Sequence, residues 1–334
     1  MAALTPSDPE RLLFITSTRI GDAVLSSGVL AQWIEAHPRT RVTVACGPLA
    51  APLFDDLPGL ERLHPMVRSG RAGHWWQLWR ASTGRRWSAV IDLRGSLFAW
   101  TVRAGRRLVC RAEKRREHRI EELARQLKLP ALPTPHLWVS DRRQRQADAR
   151  LGAGPPILAV GPSANWGAKQ WPAERFAEAV ARLTGPDGIL PGARVAVFAA
   201  AAERDQAKPV LDAVPAERRL PCIGIPHLLD AFAILRRCSF YFGNDSGMMH
   251  LAAAAGIPTL GLFGPSPEWR YGPWGDRAAV VRTRESYELL VVDNPAFDHR
   301  CQDTLMTSLT VDAVTTAATQ LWRRTQARLD GVAE

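Results

Sequence analysis

The feature that most constrains the fold is a strand, a glycine-rich turn and an alanine-rich helix within residues 239–258. An apolar run ends at Phe242, a Gly-Asn-Asp-Ser-Gly turn follows at 243–247, and the helix extends to Gly256. Small residues at such a turn let backbone N–H groups approach a ligand, and the positive end of the helix dipole favours an anion. The stretch predicts a phosphate site at the carboxyl end of a strand, the edge where open α/β sheets bind ligands.

Three side chains near this turn bear on that hypothesis. Asp245 or Ser246 can cap the helix, and His250, one turn further on, can face the same ligand. An ordinary capped strand-to-helix turn would use the same residues. A second loop, Gly-Pro-Ser-Pro at 264–267, follows the next apolar run and favours the ligand-binding interpretation, because both loops then lie at strand ends.

Length and composition place the chain among two-domain soluble proteins. Its 334 residues fit two domains of roughly 150 residues each. No apolar stretch approaches the ~20 residues of a membrane span, and the polar start of the chain shows no signal peptide. The five scattered cysteines form no CxxC pair and predict free thiols in the cytoplasm.

The net charge of +10 indicates an anionic partner, which can be nucleic acid, a lipid surface or a phosphorylated substrate. The excess is concentrated: from Arg103 to Arg119 there are eight lysines and arginines, against Glu113 and Glu117. This segment can be a binding surface or a solvated face. Nucleic acid is the weakest of the three partners, because no helix-turn-helix or aromatic-basic RNA motif accompanies the charge.

Strands and helices alternate along both halves of the chain. In the first half, apolar runs at 12–16 and 42–46 flank an amphipathic helix, a βαβ unit that predicts a parallel sheet. A Pro-rich, aperiodic segment follows at 130–141, and a second αβ series begins at Ile157. We predict an α/β protein of two Rossmann-like, doubly wound domains, residues 1–150 and 151–334, facing each other across a cleft.

Three further polar residues lie where predicted strands end. Asp22 can deprotonate a hydroxyl group from there, or can simply favour the first turn of its helix. Lys169, before a Trp-Pro helix start, is placed to meet a phosphate. Glu203 can accept bonds from ribose hydroxyls or only favour its own helix. Since no D-x-D triplet, P-loop, GxGxxG or cluster with metal-ligand spacing occurs, no metal or other cofactor is expected.

With these residues identified, the chain resembles the heptosyltransferase-like family 9 of bacterial glycosyltransferases. Three blocks carry the resemblance: residues 13–25 with Gly21-Asp22, residues 162–172 with Lys-Gln-Trp-Pro at 169–172, and residues 243–267. The third block is long and specific. Weaker similarity at Asp-Leu-Arg-Gly, 92–95, and around Cys301 extends the match over nearly the whole chain.

The resemblance implies a GT-B fold with the acceptor on the first domain and the nucleotide sugar on the second. It implies inverting, metal-independent transfer of heptose from ADP-heptose to lipopolysaccharide core, with Asp22 as the catalytic base. It also implies a final helix, residues 311–328, that returns toward the first domain. The implied donor-binding residues are Lys169, Glu203, Asp245, Ser246, Gly247, His250 and Ser163. For the acceptor, an anionic glycolipid, the basic surface itself leads us to expect Arg94, Arg103, Arg106 and Arg107 as binding residues.

Two alternatives to this function stay open from the sequence. The same scaffold can use another nucleotide sugar or a protein acceptor. The chain can also be a nucleotide-binding protein of envelope assembly without catalysis, although the presence of Asp22, Lys169, Asp245 and His250 together argues against that loss. In each case we expect a cytoplasmic protein that can contact the inner membrane peripherally, with charge favouring anionic lipid.

Overall fold

The computed structural model describes residues 10–67, 73–295, 297–298, 300 and 302–330. The chain divides into two compact units, Met1–Ser140 and Asp141–Glu334. Each unit has a parallel β-sheet with helices, as the alternation of strands and helices predicted. The sequence placed the division at residues 150 and 151, whereas the structure places it between Ser140 and Asp141.

The difference comes from a helix, residues 141–151, that the sequence analysis did not assign. Its sequence is very polar, and only Ala147 and Leu151 are buried, so its apolar periodicity is weak. It nevertheless packs within the second unit. The Arg143 guanidinium lies 2.5 Å from the Asp230 carboxylate and 3.0 Å from the His227 ring nitrogen.

The first unit has five parallel strands in the order β3-β2-β1-β4-β5. Its elements are β1 (Arg11–Ile15), α1 (Ile20–Ala36), β2 (Arg41–Cys46), β3 (Leu60–Pro65), α2 (Gly73–Ser82), β4 (Arg86–Asp92), β5 (Arg103–Val109) and α3 (Arg119–Leu127). The central strand β1 is buried from Leu12 to Ile15 because helices or loops cover both faces of a parallel sheet. Its carboxyl end therefore lies in the middle of the sheet edge, and α1 begins five residues later.

The sequence predicts a helix at 97–102 and a strand at 108–110. The first segment is instead a short 3-10 turn, Leu97–Trp100. The second is the end of a strand that begins earlier, at Arg103, so the first basic residues of the charged segment lie on an edge strand. The strand does not show the regular alternation of exposed and buried residues that would identify it from the sequence. Arg103 and Arg106 are exposed, and Leu108 and Val109 are only half-buried.

The second unit has six parallel strands in the order β11-β10-β9-β6-β7-β8. Its strands are β6 (Ile157–Gly161), β7 (Arg194–Ala199), β8 (Arg219–Ile223), β9 (Phe240–Asn244), β10 (Thr259–Phe263) and β11 (Ala278–Arg282). Its helices are α4 (Asp141–Leu151), α5 (Ala173–Thr184), α6 (Arg204–Asp212), α7 (Leu228–Leu235), α8 (Gly247–Ala254), α9 (Glu268–Tyr271) and α10 (Val311–Asp330). The sequence analysis did not identify β11, a half-buried edge strand.

The final helix α10 uses its apolar face within the second unit. Val314, Ala318 and Leu321 are buried in the same hydrophobic cluster as Phe240 and Phe242 of β9. The helix thus covers one face of this sheet, and its expected return toward the first half of the chain stays a prediction.

Four cysteines, Cys46, Cys110, Cys222 and Cys238, are buried free thiols, as predicted; Cys301 lies outside the described residues. Burial raises the pKa of Cys46 to about 12 and of Cys222 to about 11, so both stay protonated and unreactive. In the part of the chain that the structure describes, no helix is long and apolar enough to cross a membrane.

Candidate functional site

The strand order of the second unit brings together the loops that the sequence singled out. Strands β9, β6 and β7 are neighbours, and all run parallel. Their carboxyl ends carry the 243–247 turn, the 162–172 loop and the segment before Glu203. Because parallel strands end at a common sheet edge, residues far apart in the sequence meet there.

Lys169 and Asp245 form an ion pair at this edge. The Lys169 ammonium lies 2.5 Å from Asp245 Oδ2, and the two side chains are 21% and 8% exposed. The Asp245 backbone N–H donates to the Leu262 carbonyl at 3.2 Å, which fixes the turn against β10. The carboxylate uses one of the three ammonium N–H groups, so the lysine keeps donors for an anionic ligand.

Asn244 is a residue whose role the sequence analysis missed. Its side chain is fully buried, its amide nitrogen donates to the Pro162 carbonyl at 2.7 Å, and its amide oxygen accepts from the Trp171 N–H at 3.1 Å. Asn244 therefore ties both ends of the 162–172 loop to the end of β9 and so positions Lys169 beside Asp245. The available signal in the sequence was a polar residue, asparagine, at the end of an otherwise apolar strand and directly before Asp245.

Ser163 and Glu203 join the ends of β6 and β7. The buried Ser163 hydroxyl donates to Glu203 Oε2 at 2.7 Å, and the same oxygen accepts from the Ala200 N–H at 3.2 Å. Glu203 therefore does stabilise its own turn, the plainer of the two sequence interpretations. Its ribose contact stays a prediction.

Neither Asp245 nor Ser246 caps α8, so that prediction was wrong. Ser246 occupies the cap position with an extended backbone, but its side chain accepts no hydrogen bond from the helix. Asp245 instead pairs with Lys169. Gly247 opens the helix, and His250, in its first turn, is buried. The start of α8 therefore has no side-chain cap from either residue, and the Lys169–Asp245 pair lies directly before it.

A segment near the end of the chain holds the Lys169 loop. The Gln302 side chain accepts from the Gly167 N–H at 2.9 Å, and the Leu305 N–H donates to the Ala168 carbonyl at 3.0 Å. The Trp171 indole donates to the Leu309 carbonyl at 2.9 Å. The weak similarity noted around residue 301 thus precedes a segment that supports this loop.

In the first unit, Asp22 lies in the first turn of α1, just beyond the carboxyl end of β1. It is half-buried, and the Ser17 hydroxyl donates to its Oδ2 at 3.3 Å. The position is the one that the sequence indicated. A carboxylate so placed, with one weak hydrogen bond, keeps lone pairs for another donor, and its role as a base stays a prediction.

The four arginines predicted to bind the acceptor do not lie at one end of the first sheet. Arg107 donates to three backbone carbonyls, of Ala99, Ala104 and Val102, at 2.8–3.1 Å, and so braces the 3-10 turn. Arg103 opens β5 and Arg106 lies at its middle, with its guanidinium 5.9 Å from the Trp33 ring centre. Of the four, only Arg94 follows the carboxyl end of its strand, and it lies 5.1 Å from the Trp75 ring centre.

This corrects the interpretation of the charged segment as one surface. Arg103 is separated from the carboxyl end of β5 by six residues, about 20 Å at ~3.3 Å per residue. The exposed basic residues beyond that end are Arg111, Lys114, Arg115 and Arg116, with the exposed Glu113 among them. Since β4 and β5 are neighbours, Arg94 and Arg111 come from adjacent strand ends. These lie at the sheet edge that carries Asp22.

No three His, Cys, Asp or Glu side chains lie together as metal ligands within the described ranges.

The geometry defines a protein of two Rossmann-like units, with a lysine, an aspartate and a helix N-terminus together at one strand edge of the second unit. Known proteins are similar to it in fold and in sequence. The structure of a family 9 glycosyltransferase from Veillonella parvula superposes with a TM-score of 0.76 at 20% identity, covering 96% of this chain and 99% of that one. Escherichia coli ADP-heptose LPS heptosyltransferase II gives a TM-score of 0.71 at 20% identity, covering 95% and 99%. These likenesses confirm the predicted GT-B fold.

The sequence profile of glycosyltransferase family 9 (heptosyltransferase) matches residues 114–295, more than half of the chain. Lipopolysaccharide heptosyltransferase 2 of Salmonella typhimurium is 25% identical over 319 residues, 83% of this chain and 89% of that protein. Lipooligosaccharide heptosyltransferase 2 of Haemophilus influenzae is 33% identical over 141 residues, 41% of this chain and 39% of that protein. The chain belongs to glycosyltransferase family 9 and is a glycosyltransferase.

Proposed function

We propose that this enzyme transfers a heptose from ADP-heptose to a lipopolysaccharide-core acceptor, with inversion and without a metal ion. The observation that carries the donor half is the Lys169–Asp245 ion pair beside the uncapped start of α8. An ammonium group and a helix N-terminus converge where a pyrophosphate can bind. The heptosyltransferases named above support the choice of sugar, and the Escherichia coli ADP-heptose LPS heptosyltransferase II supports the choice of donor.

The chemistry assigns one task to each group. The acceptor hydroxyl oxygen attacks the anomeric carbon, its proton passes to the Asp22 carboxylate, and the bond from that carbon to the phosphate oxygen breaks. The electron pair of the broken bond stays on the departing diphosphate. Lys169 and the first N–H groups of α8 stabilise this charge, which is the work that a divalent cation does in other enzymes.

The acceptor half is supported by the carboxyl edge of the first sheet. Arg94 and Arg111 are exposed there and supply charge for an anionic glycolipid. Leu97, three residues after Arg94, is 83% exposed. Arginine beside an exposed apolar side chain suits a surface that meets anionic lipid headgroups. We therefore propose that a cytoplasmic enzyme meets the inner membrane with this edge.

The donor is tested by titrating the purified protein with ADP, UDP, GDP and dTDP in EDTA while following thermal stability. We expect ADP to stabilise the fold, by about 2.7 kcal/mol at ~100 times its dissociation constant, because it binds the folded state only. Addition of Mg²⁺ should leave the dissociation constant unchanged.

Each other outcome of the titration contradicts a definite part of the proposal. If UDP, GDP or dTDP stabilises the protein more than ADP does, ADP-heptose is not the donor and the enzyme is a glycosyltransferase with another donor. If nucleotide binding requires Mg²⁺, the reaction is not metal-independent. If none of the four nucleotides stabilises the protein, the proposed donor site is not functional.

The acceptor surface is tested by two matched pairs of charge reversals. R94E/R111E, at the carboxyl edge, should raise the KM for a lipopolysaccharide-core acceptor more than tenfold, because two attractive charges become repulsive. ADP affinity should stay unchanged. R103E/R106E changes the same charge on β5 away from that edge and should have little effect. The reverse ranking would contradict the reassignment and restore the residues that the sequence indicated.

A further inference from the structure

The phenol of Tyr241 is a buried polar group that the proposed reaction does not yet use. Tyr241 lies on β9 and is fully buried. Its ring passes over two glycines on adjacent strands, Gly161 and Gly243, which are in register. A Cβ atom at these positions would lie 2.0 Å and 2.5 Å from the tyrosine hydroxyl oxygen. The glycines therefore leave a channel through which the phenol reaches the carboxyl edge of the sheet.

The hydroxyl group ends among the residues of the donor site. Burial raises the pKa of the Tyr241 phenol far above its usual range, the Ser246 hydroxyl opposes that rise, and the carboxylates of Asp245 and Glu203 add to it. The phenol therefore faces Ser246, and the charges of both carboxylates act on it. The phenol keeps its proton at any physiological pH and acts as a hydrogen-bond donor.

The two hydroxyls face each other, but neither makes a hydrogen bond of good geometry to another described residue. Tyr241 OH and Ser246 Oγ are both buried side-chain atoms left without such a bond. Buried polar groups are nearly always paired, since leaving one unpaired costs about 1–3 kcal/mol by mutational measurements. Ser246 is at the N-cap position of α8, but its side chain accepts no hydrogen bond from the helix backbone. Two facing hydroxyls without well-formed hydrogen bonds beside a helix N-terminus indicate a ligand that completes the bonding of Ser246.

We propose that Tyr241 is a positioning residue for the diphosphate of the donor. When the donor binds, the Tyr241 hydroxyl donates to Ser246 Oγ, and Ser246 directs its own proton to a phosphate oxygen. A serine hydroxyl has one proton and two lone pairs, so a donor behind it fixes which way the proton points. The inference rests on the proposed function, because it requires a diphosphate at the start of α8.

The test is a double-mutant cycle on nucleotide affinity. Y241F removes only the hydroxyl and should weaken ADP binding about three- to tenfold, the range for one neutral hydrogen bond. S246A should weaken it about tenfold or more, because its bond is to a charged oxygen. Y241F/S246A should be no weaker than S246A alone, since Tyr241 acts through Ser246. Adenosine, which has no phosphate, should bind all four proteins equally.

The control is T325V, which removes another buried hydroxyl in the same unit; Thr325 donates to the Leu321 carbonyl in α10 at 2.9 Å. It should change thermal stability and leave ADP affinity unaltered. Wild-type affinity in Y241F, or additive losses in the double variant, would overturn the role of Tyr241 while the proposed function stands. Failure of the wild type to bind any nucleoside diphosphate would overturn both.

Discussion

The variant D22N should lose about 10³-fold in turnover, within the 10²–10⁴ range of general-base catalysis, and keep its affinity for ADP. Asparagine has nearly the size of aspartate and can still accept the bond from Ser17. It cannot take a proton from an attacking hydroxyl. The reaction is followed by release of nucleoside diphosphate at saturating donor and acceptor, and binding is measured by calorimetry with ADP alone.

The competing role of Asp22, a charge at the start of α1, predicts a different result. Removing such a charge costs about 0.3–1 kcal/mol of stability and leaves turnover almost unchanged. D141N is the matched control, because Asp141 lies in the first turn of α4 and is exposed. If D22N and D141N behave alike, with a small loss of stability and full activity, Asp22 is not the base.

Much of the fold could be predicted because its signals are local. The segment 259–263 ends in Leu-Phe, lies between Pro258 and Gly264, and begins and ends where β10 does. Elements whose burial depends on distant partners were predicted poorly. Helix α4 buries only Ala147 and Leu151, and β11 is half-buried at a sheet edge. Neither has the apolar period that marks an element from its own sequence.

The candidate site shows the same limit at the level of single side chains. Sequence position indicated Lys169 and Asp245 as separate ligands, but it could not show that they pair across 76 residues. Sequence position also predicted that Ser246 could cap α8, but its side chain makes no capping hydrogen bond in the structure. The sequence gives no sign that Tyr241 differs from other strand residues. Its phenol passes beside Gly161 and Gly243, and these two glycines become neighbours only when β6 and β9 pair. Strand order, which brings these residues together, is not a local property.

Breaking the Lys169–Asp245 pair should lower both the stability of the protein and its affinity for ADP. K169M removes the ammonium and leaves the Asp245 carboxylate, whose side chain is only 8% exposed, without its partner. Losing one member of a buried pair costs about 3–5 kcal/mol, and the 21% exposure of Lys169 places this pair near the lower end. We expect a clear fall in the urea midpoint and loss of ADP affinity by more than tenfold.

The double variant K169M/D245N separates the two effects. Removing both charges takes away the uncompensated carboxylate, so stability should return most of the way while ADP affinity stays low. R143M is the control, since Arg143 pairs with Asp230 at 2.5 Å between α4 and α7 and should lower stability without changing binding. Recovery of ADP affinity in K169M/D245N would mean that Lys169 only neutralises Asp245, and the assignment of the lysine to the donor phosphates would have to be abandoned. Persistent loss of affinity in a stable protein would instead leave direct contact with the diphosphate as its role.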